Sequence, residues 1–233
     1  MKKICVQDLA SIQYKKAWDY QTELFEEIIA QKLKNREAEK LGNEIILPDN
    51  HLLYCEHNHV YTLGKSGDEN HVLLSPKERE EKSIEFFPIN RGGDITYHGP
   101  GQMVVYPILD LDQFFTDIHK YLRFLEEAII KVMAHYGLKG DRYPGYTGVW
   151  LDPEDPVKAR KICAMGIKCS RWVTMHGLAF NVNTDLKYFD YIIPCGIKDK
   201  AVTSLEAELG SKVDMEEVKK LFLSAFNELF EIK

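Results

Sequence analysis

A cysteine between a proline and a glycine is the residue of this sequence best suited to nucleophilic chemistry. The stretch Tyr-Ile-Ile-Pro-Cys-Gly-Ile covers residues 191–197 and places Cys195 directly after an apolar run. Proline fixes its own φ and lacks a backbone donor, whereas glycine permits close backbone approach. A buried strand that opens into a rigid turn would present the Cys195 thiol at the bend. Taken alone, the pattern also fits a small buried hydrophobe, as most free cysteines are.

A thiol is a good nucleophile only as the thiolate, so Cys195 needs a neighbour that lowers its pKa or accepts its proton. The candidates are His98, His176 and Lys161. His176 lies in an apolar stretch, where a histidine is more often a hydrogen-bonded core residue. Lys161 begins the apolar stretch Lys-Ile-Cys-Ala-Met-Gly-Ile, and an ammonium beside the thiol would stabilise the thiolate. Sequence spacing does not choose among the three.

A glycine-rich loop is the second candidate functional element. Residues 91–102 read Arg-Gly-Gly-Asp-Ile-Thr-Tyr-His-Gly-Pro-Gly-Gln, with four glycines in twelve positions. Such a loop can wrap closely around a ligand and point its N–H groups inward. It matches neither the Walker A nor the dinucleotide-binding motif, so nucleotide phosphates are not specifically indicated. Arg91 and His98 could face an anion or a carbonyl, although a pair of tight turns between strands is an equal alternative.

The elements that must position these residues alternate between helix and strand. Helical spacing of apolar residues predicts helices over 13–40 and 115–136, and a last helix that begins at Asp214. Strands are expected at 51–57 and 103–109, and 161–182 reads as two strands joined by a turn at Ser170 and Arg171. Thr203 and Glu206 can form a capping box for a short helix. The order predicts an α+β (mixed α/β) fold, with a mixed sheet flanked by helices in one domain over residues 1–233.

Composition and charge exclude several classes of protein. The 233 residues are 45% hydrophobic and 28% charged, which is typical of a globular chain rather than a disordered one. The net charge of −6 gives the whole chain no attraction for nucleic acid or an anionic membrane. No apolar run reaches transmembrane length, and the first ten residues lack the apolar core of a signal peptide. We therefore expect a cytoplasmic protein.

The cysteines argue against a disulfide framework and against a structural zinc site. They are odd in number, widely spaced and without a CxxC pair. A reduced protein without a bound metal is the simplest interpretation. The five positions are Cys5, Cys55, Cys163, Cys169 and Cys195.

Several multi-residue motifs together resemble the octanoyltransferase family of lipoate biosynthesis. They occur in the order of that family and span most of the chain, at residues 52–67, 91–111, 147–150, 161–168, 176–183, 192–197 and 202–210. The resemblance implies the fold of the catalytic domains of biotin and lipoate protein ligases. Two departures are visible. Lys65 stands where an arginine is common, and residues 30–50 form a longer, charged segment.

The resemblance also implies which residues act. Cys195 corresponds to the acyl-accepting nucleophile, and Lys161 to its catalytic partner. The residues implied to hold the acyl group are Arg91, Gly92, Gly93, Asp94, Ile95, Thr96, Tyr97, His98, Ala164, Met165, Gly166, Gly177, Leu178 and Ala179.

The implied reaction is the transfer of an octanoyl group from octanoyl-acyl carrier protein to a lysine ε-amine. The implied acceptors are the lipoyl domains of 2-oxoacid dehydrogenase E2 subunits and the glycine cleavage H protein, and no cofactor is expected. Alternatives are an ATP-dependent lipoate or biotin protein ligase, transfer between two lipoyl-bearing proteins, and a non-catalytic module that binds the acyl carrier. The Pro-Cys-Gly turn argues against a ligase, because ligation through an adenylate does not use a cysteine nucleophile.

A local basic cluster could dock the acidic carrier protein that the resemblance implies. Residues 158–171 contain five basic side chains and no aspartate or glutamate, in a chain that is acidic overall. They are Lys158, Arg160, Lys161, Lys168 and Arg171.

Overall fold

The structure is a computed structural model, and it describes residues 3–193 and 201–232. Its strands are β1 Ile4–Ser11, β2 Asn50–Glu56, β3 Val60–Leu63, β4 Glu85–Pro88, β5 Ile95–His98, β6 Gln102–Ile108, β7 Gly140–Asp141, β8 Val149–Leu151, β9 Arg160–Ser170, β10 Val173–Asn181 and β11 Ala201–Val202. Its α-helices are α1 Tyr14–Lys40, α2 Pro76–Glu81, α3 Ile118–His135, α4 Leu205–Leu209 and α5 Met215–Phe230. Short 3₁₀ turns cover Glu69–His71, Leu111–Gln113 and Leu186–Tyr191.

The strands form two sheets, and both are mixed. In the main sheet the order is β1-β2-β6-β10-β9-β8-β7, and β11 adds to β9. The pairs β1–β2 and β9–β11 are parallel, whereas the other pairs of this sheet are antiparallel. The smaller sheet has the order β4-β3-β5. With helices packed against the main sheet, this architecture confirms the predicted mixed α/β fold class.

The two faces of the main sheet serve different cores, because side chains alternate along a strand. Leu178 and Phe180 of β10 point to one face, where they pack with apolar residues of α3 and α5. Ala179 points to the opposite face, where Val104 and Tyr106 of β6 lie against α1. The second face therefore carries the shorter side chain on β10, and it is the face that matters for the site described below.

The longer predicted helices and the central hairpin are confirmed. Helix α3 ends before Gly137, whose φ of 72° is the left-handed conformation usual after a helix C-terminus. Asp214 caps α5, and its carboxylate accepts the backbone N–H of Glu216. The β9–β10 turn consists of Arg171 and Trp172, both with positive φ, one residue later than predicted.

The predicted capping box at Thr203 is wrong. Ser204 caps α4 instead, and its hydroxyl accepts the backbone N–H of Ala207 at 3.1 Å. Thr203 precedes this cap and makes other hydrogen bonds. Its backbone N donates to the carbonyl of Lys161 at 2.9 Å, and its hydroxyl donates to Glu208. The glycine-rich loop also contains a strand that the sequence analysis did not separate, β5, which pairs with β3.

The charged segment 30–50 covers the last turns of α1 and the residues after it, and polar side chains of α1 anchor it. Lys32 is buried and forms ion pairs with Asp110 and Asp112. The side chain of Asn35 both donates to and accepts from the backbone of Ile46. In the part of the chain that the structure describes, none of the helices has the length and apolar character needed to cross a membrane.

Candidate active site

A cavity of about 350 Å³ lies on the face of the main sheet that carries Ala179. This volume falls within the range of small-molecule sites, roughly 300–1,000 Å³. The predicted residues that line it are Arg91, Gly92, Gly93, Asp94, Ile95, Thr96, His98, Lys161, Ala164, Met165, Gly166, Gly177 and Ala179. The structure therefore brings the 91–98 segment together with the β9–β10 hairpin, which lies far later in the chain.

Two predicted residues do not line this cavity, and one lies outside the described structure. Tyr97 is fully buried in the core of the smaller sheet, where its hydroxyl contacts His59 Nδ1 at 2.8 Å. Leu178 points to the opposite face of the main sheet, towards α3 and α5. Cys195 lies outside the described residues. Its flanking segments are described, and Phe189 and Val202 both line the cavity.

Small residues on two paired strands line this cavity. In the β9–β10 register Gly166 pairs with Gly177, and Ala164 pairs with Ala179. Residues two apart on a strand share one face, so the four positions remove side-chain volume from the same side of the sheet. A Cβ on Gly177 would lie 2.1 Å from the Val105 carbonyl oxygen. Gly177 is therefore also required for the close packing of β10 on β6.

The Arg91 loop is braced against both sheets. The guanidinium of Arg91 donates to the carbonyl and the hydroxyl of Thr62, at 2.7 and 3.0 Å. The backbone N of Gly92 donates to the Ile167 carbonyl at 2.9 Å, which ties the loop to β9. Lys65 contacts the loop through its backbone N, which donates to the Arg91 carbonyl at 3.0 Å, so this bond does not depend on the side chain at position 65.

His98 is a neutral, fully hydrogen-bonded histidine at the cavity wall. Burial, with the nearby His57 as the next cause, lowers the pKa of His98 to about 3. Its Nδ1 lies 2.9 Å from Gln102 Oε1, while Gln102 Nε2 donates to Asn181 Oδ1. Because Gln102 Oε1 is the acceptor, the proton of His98 is on Nδ1. Its Nε2 is left to accept from the Thr62 hydroxyl, 3.4 Å away.

His176 is the second neutral histidine of the cavity wall. Burial, followed by the charge of Arg91, lowers its pKa to about 3. Its Nε2 lies 3.0 Å from Asn90 Oδ1, and its backbone has a φ of 62°. A histidine with such a pKa is neutral and a weak base at pH 7. Of the three candidate activators, His98 and His176 therefore supply neither a positive charge nor an effective base near neutrality.

Lys161 is the third candidate, and its position suits the predicted role. It is the second residue of β9, lines the cavity and pairs with Val202 of the parallel strand β11. Its Nζ lies 4.7 Å from the centroid of the Trp150 ring. A cationic side chain therefore lies at the cavity wall, beside a strand that follows shortly after the position of Cys195 in the sequence.

The other cysteines are poorly placed for nucleophilic chemistry. Cys55 and Cys163 are buried, and burial raises the pKa of both thiols well above the usual range. Cys169 is an exposed residue, but its thiol is partly desolvated, which raises its pKa. Among the described residues, no cysteine lines the cavity. Cys195 therefore remains the candidate nucleophile on the basis of its sequence context.

The predicted basic cluster is not one patch. Arg160 forms a two-point ion pair with Glu208, with both N–O distances 2.6 Å, and Lys158 pairs with Asp155. Lys168 lies near the opposite end of β9, about 26 Å from Arg160 at roughly 3.3 Å per strand residue. Charges that are close in sequence are thus separated by an extended strand, and acidic residues from other segments neutralise those at one end.

The loop at 145–148 contributes a cavity wall whose role the sequence did not reveal. Gly145, Tyr146 and Thr147 line the cavity. The loop is anchored by Glu126, a fully buried residue of α3. Its carboxylate accepts hydrogen bonds from the backbone N of Gly148 and from Arg142 Nε, both at 3.0 Å. A glutamate on the apolar stripe of a helix was the available signal, but sequence alone did not reveal its partners.

Comparison with known proteins defines the class. The family profile described as lipoyl protein ligase A/B catalytic domain matches residues 13–227. This chain therefore belongs to the lipoyl protein ligase A/B family. Within that family it is 60% identical over 231 residues to the octanoyltransferase of Christiangramia forsetii, covering 99% of this chain and 97% of that protein. It is 60% identical over 232 residues to the octanoyltransferase of Flavobacterium johnsoniae, with the same coverage.

A solved structure supports the fold independently of close sequence similarity. The bipartite lipoate protein ligase of Thermoplasma acidophilum superposes with a TM-score of 0.67 at 16% identity. The match covers 100% of this chain and 86% of that chain. The expected ligase-like fold is confirmed.

The buried histidines predict a loss of stability in acid. Burial lowers the pKa of His57 to about 4, and those of His98 and His176 to about 3. These values lie below the ordinary value of about 6.5, so the unfolded chain binds more protons between these limits. The stability they contribute is complete above pH 6.5 and falls as the pH falls towards 3. Each of these histidines adds up to about 1.4 kcal/mol per pH unit to the slope of the free energy of unfolding against pH.

We expect the free energy of unfolding to depend less steeply on pH in His176→Asn than in the wild type, by the equivalent of about one bound proton. Asparagine is the chosen replacement because it tolerates the positive φ at this position. Urea unfolding at pH 7, 6 and 5 measures the slope. Replacement of the exposed His119 by Asn is the matched control. An unchanged slope in His176→Asn would contradict the assignment of His176 as a buried neutral group.

Proposed function

We propose that the chain is an octanoyltransferase that acts through a thioester on Cys195. It takes the octanoyl group from octanoyl-acyl carrier protein and delivers it to the lysine ε-amine of lipoyl domains, in E2 subunits and in the glycine cleavage H protein. Residues 1–233 would act as one catalytic domain. The observation that carries the proposal is the near-full-length identity to octanoyltransferases, together with a cavity that has Lys161 at its wall.

The first chemical step is thioester exchange. The Cys195 thiolate attacks the carbonyl carbon of the octanoyl thioester, and the bond from that carbon to the carrier sulfur breaks. The carrier leaves as a thiolate and takes up a proton, so that octanoyl-S-Cys195 and a free carrier thiol result. A positive charge at Lys161 would stabilise the attacking thiolate, and its ammonium can supply the proton to the leaving sulfur.

The second step forms the amide. The neutral ε-amine of the acceptor lysine attacks the same carbonyl carbon, and the bond to the Cys195 sulfur breaks. The amine loses one proton, which can pass through Lys161 to the departing sulfur. Exchange between thioesters is nearly balanced, whereas conversion of a thioester to an amide runs downhill. The scheme therefore needs no nucleotide to drive it.

The small-residue face explains how the octanoyl chain could be held. The pairs Gly166–Gly177 and Ala164–Ala179 line the cavity together with Lys161. Burial of six methylenes at about 0.8 kcal/mol each contributes at most about 5 kcal/mol. One methylene more or less changes binding by only about 1–3 kcal/mol, so preference for eight carbons should be clear but not absolute.

The alternative reactions differ in what they consume. A lipoate or biotin protein ligase would need ATP and Mg²⁺, and a carrier-binding module would bind the donor without becoming acylated. The similarity to a solved ligase at 16% identity concerns the fold and does not favour the ligase reaction. Intact-mass analysis after mixing with octanoyl-carrier protein, without nucleotide, separates the three.

The first prediction is that Cys195 alone accepts the octanoyl group. Intact mass should show one added octanoyl group, and peptide mapping should place it on Cys195. Cys195→Ala should abolish the adduct, while Cys169→Ala, at an exposed thiol, should retain it. An octanoyl group mapped to Cys55, Cys163 or Cys169 would contradict the mechanism.

The second prediction separates two roles of Lys161. Lys161→Ala should raise the pKa of the Cys195 thiol and slow acyl transfer by about 100-fold or more. Lys161→Arg should keep a charge near the thiol but still turn over slowly, because a guanidinium does not exchange protons near neutral pH.

The measurements are the pH dependence of Cys195 alkylation and single-turnover transfer. Lys158→Ala, at an exposed lysine three residues earlier, is the control. If Lys161→Ala left both the alkylation profile and the transfer rate intact, Lys161 would be an ordinary strand-end lysine.

The third prediction concerns chain length. Ala179→Val adds two methyl groups to the cavity, so octanoyl transfer should weaken by about tenfold relative to hexanoyl, at roughly 0.8 kcal/mol for each displaced methylene. Competition between hexanoyl and octanoyl donors measures the ratio directly. Ala30→Val, at an exposed position on α1, is the control and should keep the wild-type ratio. An unaltered ratio in Ala179→Val would place the acyl chain elsewhere.

A further inference from the structure

The ring of Trp150 lies directly beside the Lys161 ammonium. The two residues face each other across the β8–β9 ladder, and Nζ lies 4.7 Å from the ring centroid. Cations within about 6 Å of a tryptophan face are attracted by the negative centre of the ring. This is a cation–π contact at the wall of the proposed acyl cavity.

A bulge in the strand pairing produces this juxtaposition. Val149 pairs with Cys163, but the next residue, Trp150, pairs with Lys161 rather than with Ile162. One extra residue of β9 is thus accommodated between the two pairs. Bulges re-aim side chains and are frequent beside active sites. Without the extra residue, the regular ladder would place Ile162 opposite Trp150.

The surroundings of Trp150 fix the ring rather than expose it to substrate. The residue is 2% exposed, and its ring packs against Tyr143 and Tyr146, with centroid distances of 5.2 and 5.9 Å. The indole Nε1 has no hydrogen-bond partner within residues 3–193 and 201–232. Trp150 is absent from the described residues that line the cavity, whereas Lys161 is among them. The face of the ring, rather than its N–H group, is therefore the part that meets a functional residue.

We propose that Trp150 is a positioning residue, which holds the Lys161 ammonium at the cavity wall by a cation–π contact. The inference rests on the proposed function, in which Lys161 acts beside Cys195. The ring attracts the charged amine and does not attract the neutral amine. It therefore fixes both the place of Nζ and the pH range in which Lys161 carries a proton.

The consequence is a specific shift in pH dependence. Removal of the ring weakens the charged form, so Lys161 loses its proton at a lower pH. The alkaline limb of the transfer profile, where Lys161 deprotonates, should move to lower pH by about one unit, which corresponds to a roughly tenfold change in the protonation equilibrium. Because Trp150 does not line the cavity, KM for the octanoyl donor should change little.

The experiment compares Trp150→Leu, Trp150→Phe and wild type. We expect kcat at alkaline pH to fall roughly tenfold in Trp150→Leu, and less in Trp150→Phe, which keeps an aromatic face. KM should stay within about twofold of wild type. Trp172→Leu is the control, because that tryptophan is 40% exposed at the β9–β10 turn. Urea unfolding identifies any variant whose loss of activity is a loss of folding.

A titration that does not depend on activity completes the test. The ε-nitrogen of Lys161 is followed by NMR in protein labelled with ¹⁵N-lysine, and its signal is assigned from the Lys161→Arg variant. A lower titration midpoint in Trp150→Leu supports the inference. An unmoved midpoint, or a rate lowered equally at all pH values in both variants, overturns it. Failure of the wild type to form octanoyl-Cys195 overturns the proposed function instead, and the titration still decides the role of Trp150.

Discussion

The site depends on the small residues along one face of β9 and β10. Gly166 and Gly177 face each other across the ladder, and Ala164 faces Ala179. Protein interiors are close-packed, so a cavity of this size survives only where the surrounding walls cannot collapse into it. Here one wall is the hydrogen-bonded ladder itself. The other is a loop that Arg91 and the backbone of Gly92 tie to both sheets.

Two of the polar side chains around the cavity are neutral histidines. His98 and His176 are neutral, and each is held by an amide side chain, Gln102 in one case and Asn90 in the other. Hydrogen-bonded neutral groups add polarity without an unpaired buried charge. Lys161 also lines the cavity, and its amine lies over an aromatic face. The two neutral histidines thus shape the cavity wall, whereas the proposed mechanism assigns proton transfer to Lys161.

The sequence predicted the parts of the site that are written as local motifs. Glycine spacing at 91–102 and the alternation in 161–182 identified the loop and the two strands. What the sequence missed depends on long-range pairing. The neutrality of His98 depends on its burial, and its hydrogen bonds depend on Gln102, Asn181 and Thr62, whose convergence follows from the sheet order. Tyr97 and Leu178 were assigned to the cavity because they lie inside motifs, but their side chains point elsewhere. The prediction that residues 158–171 form one basic patch is wrong for a related reason, because a count of charges does not show how far apart they lie along an extended strand.

The two faces of the main sheet differ in packing, and this difference makes such a site compatible with a stable fold. On the face of Leu178 and Phe180, large apolar residues pack fully against α3 and α5. On the other face, the cavity removes some of the apolar contact that a packed sheet would gain, and α1 covers the remaining part. Glu126 links the two sides, because it projects from α3 and fixes the backbone of Gly148 in the cavity loop. This contact limits the motion of Tyr146 and Thr147 at the cavity and of the adjacent Trp150. The geometry around Lys161 is thereby kept defined.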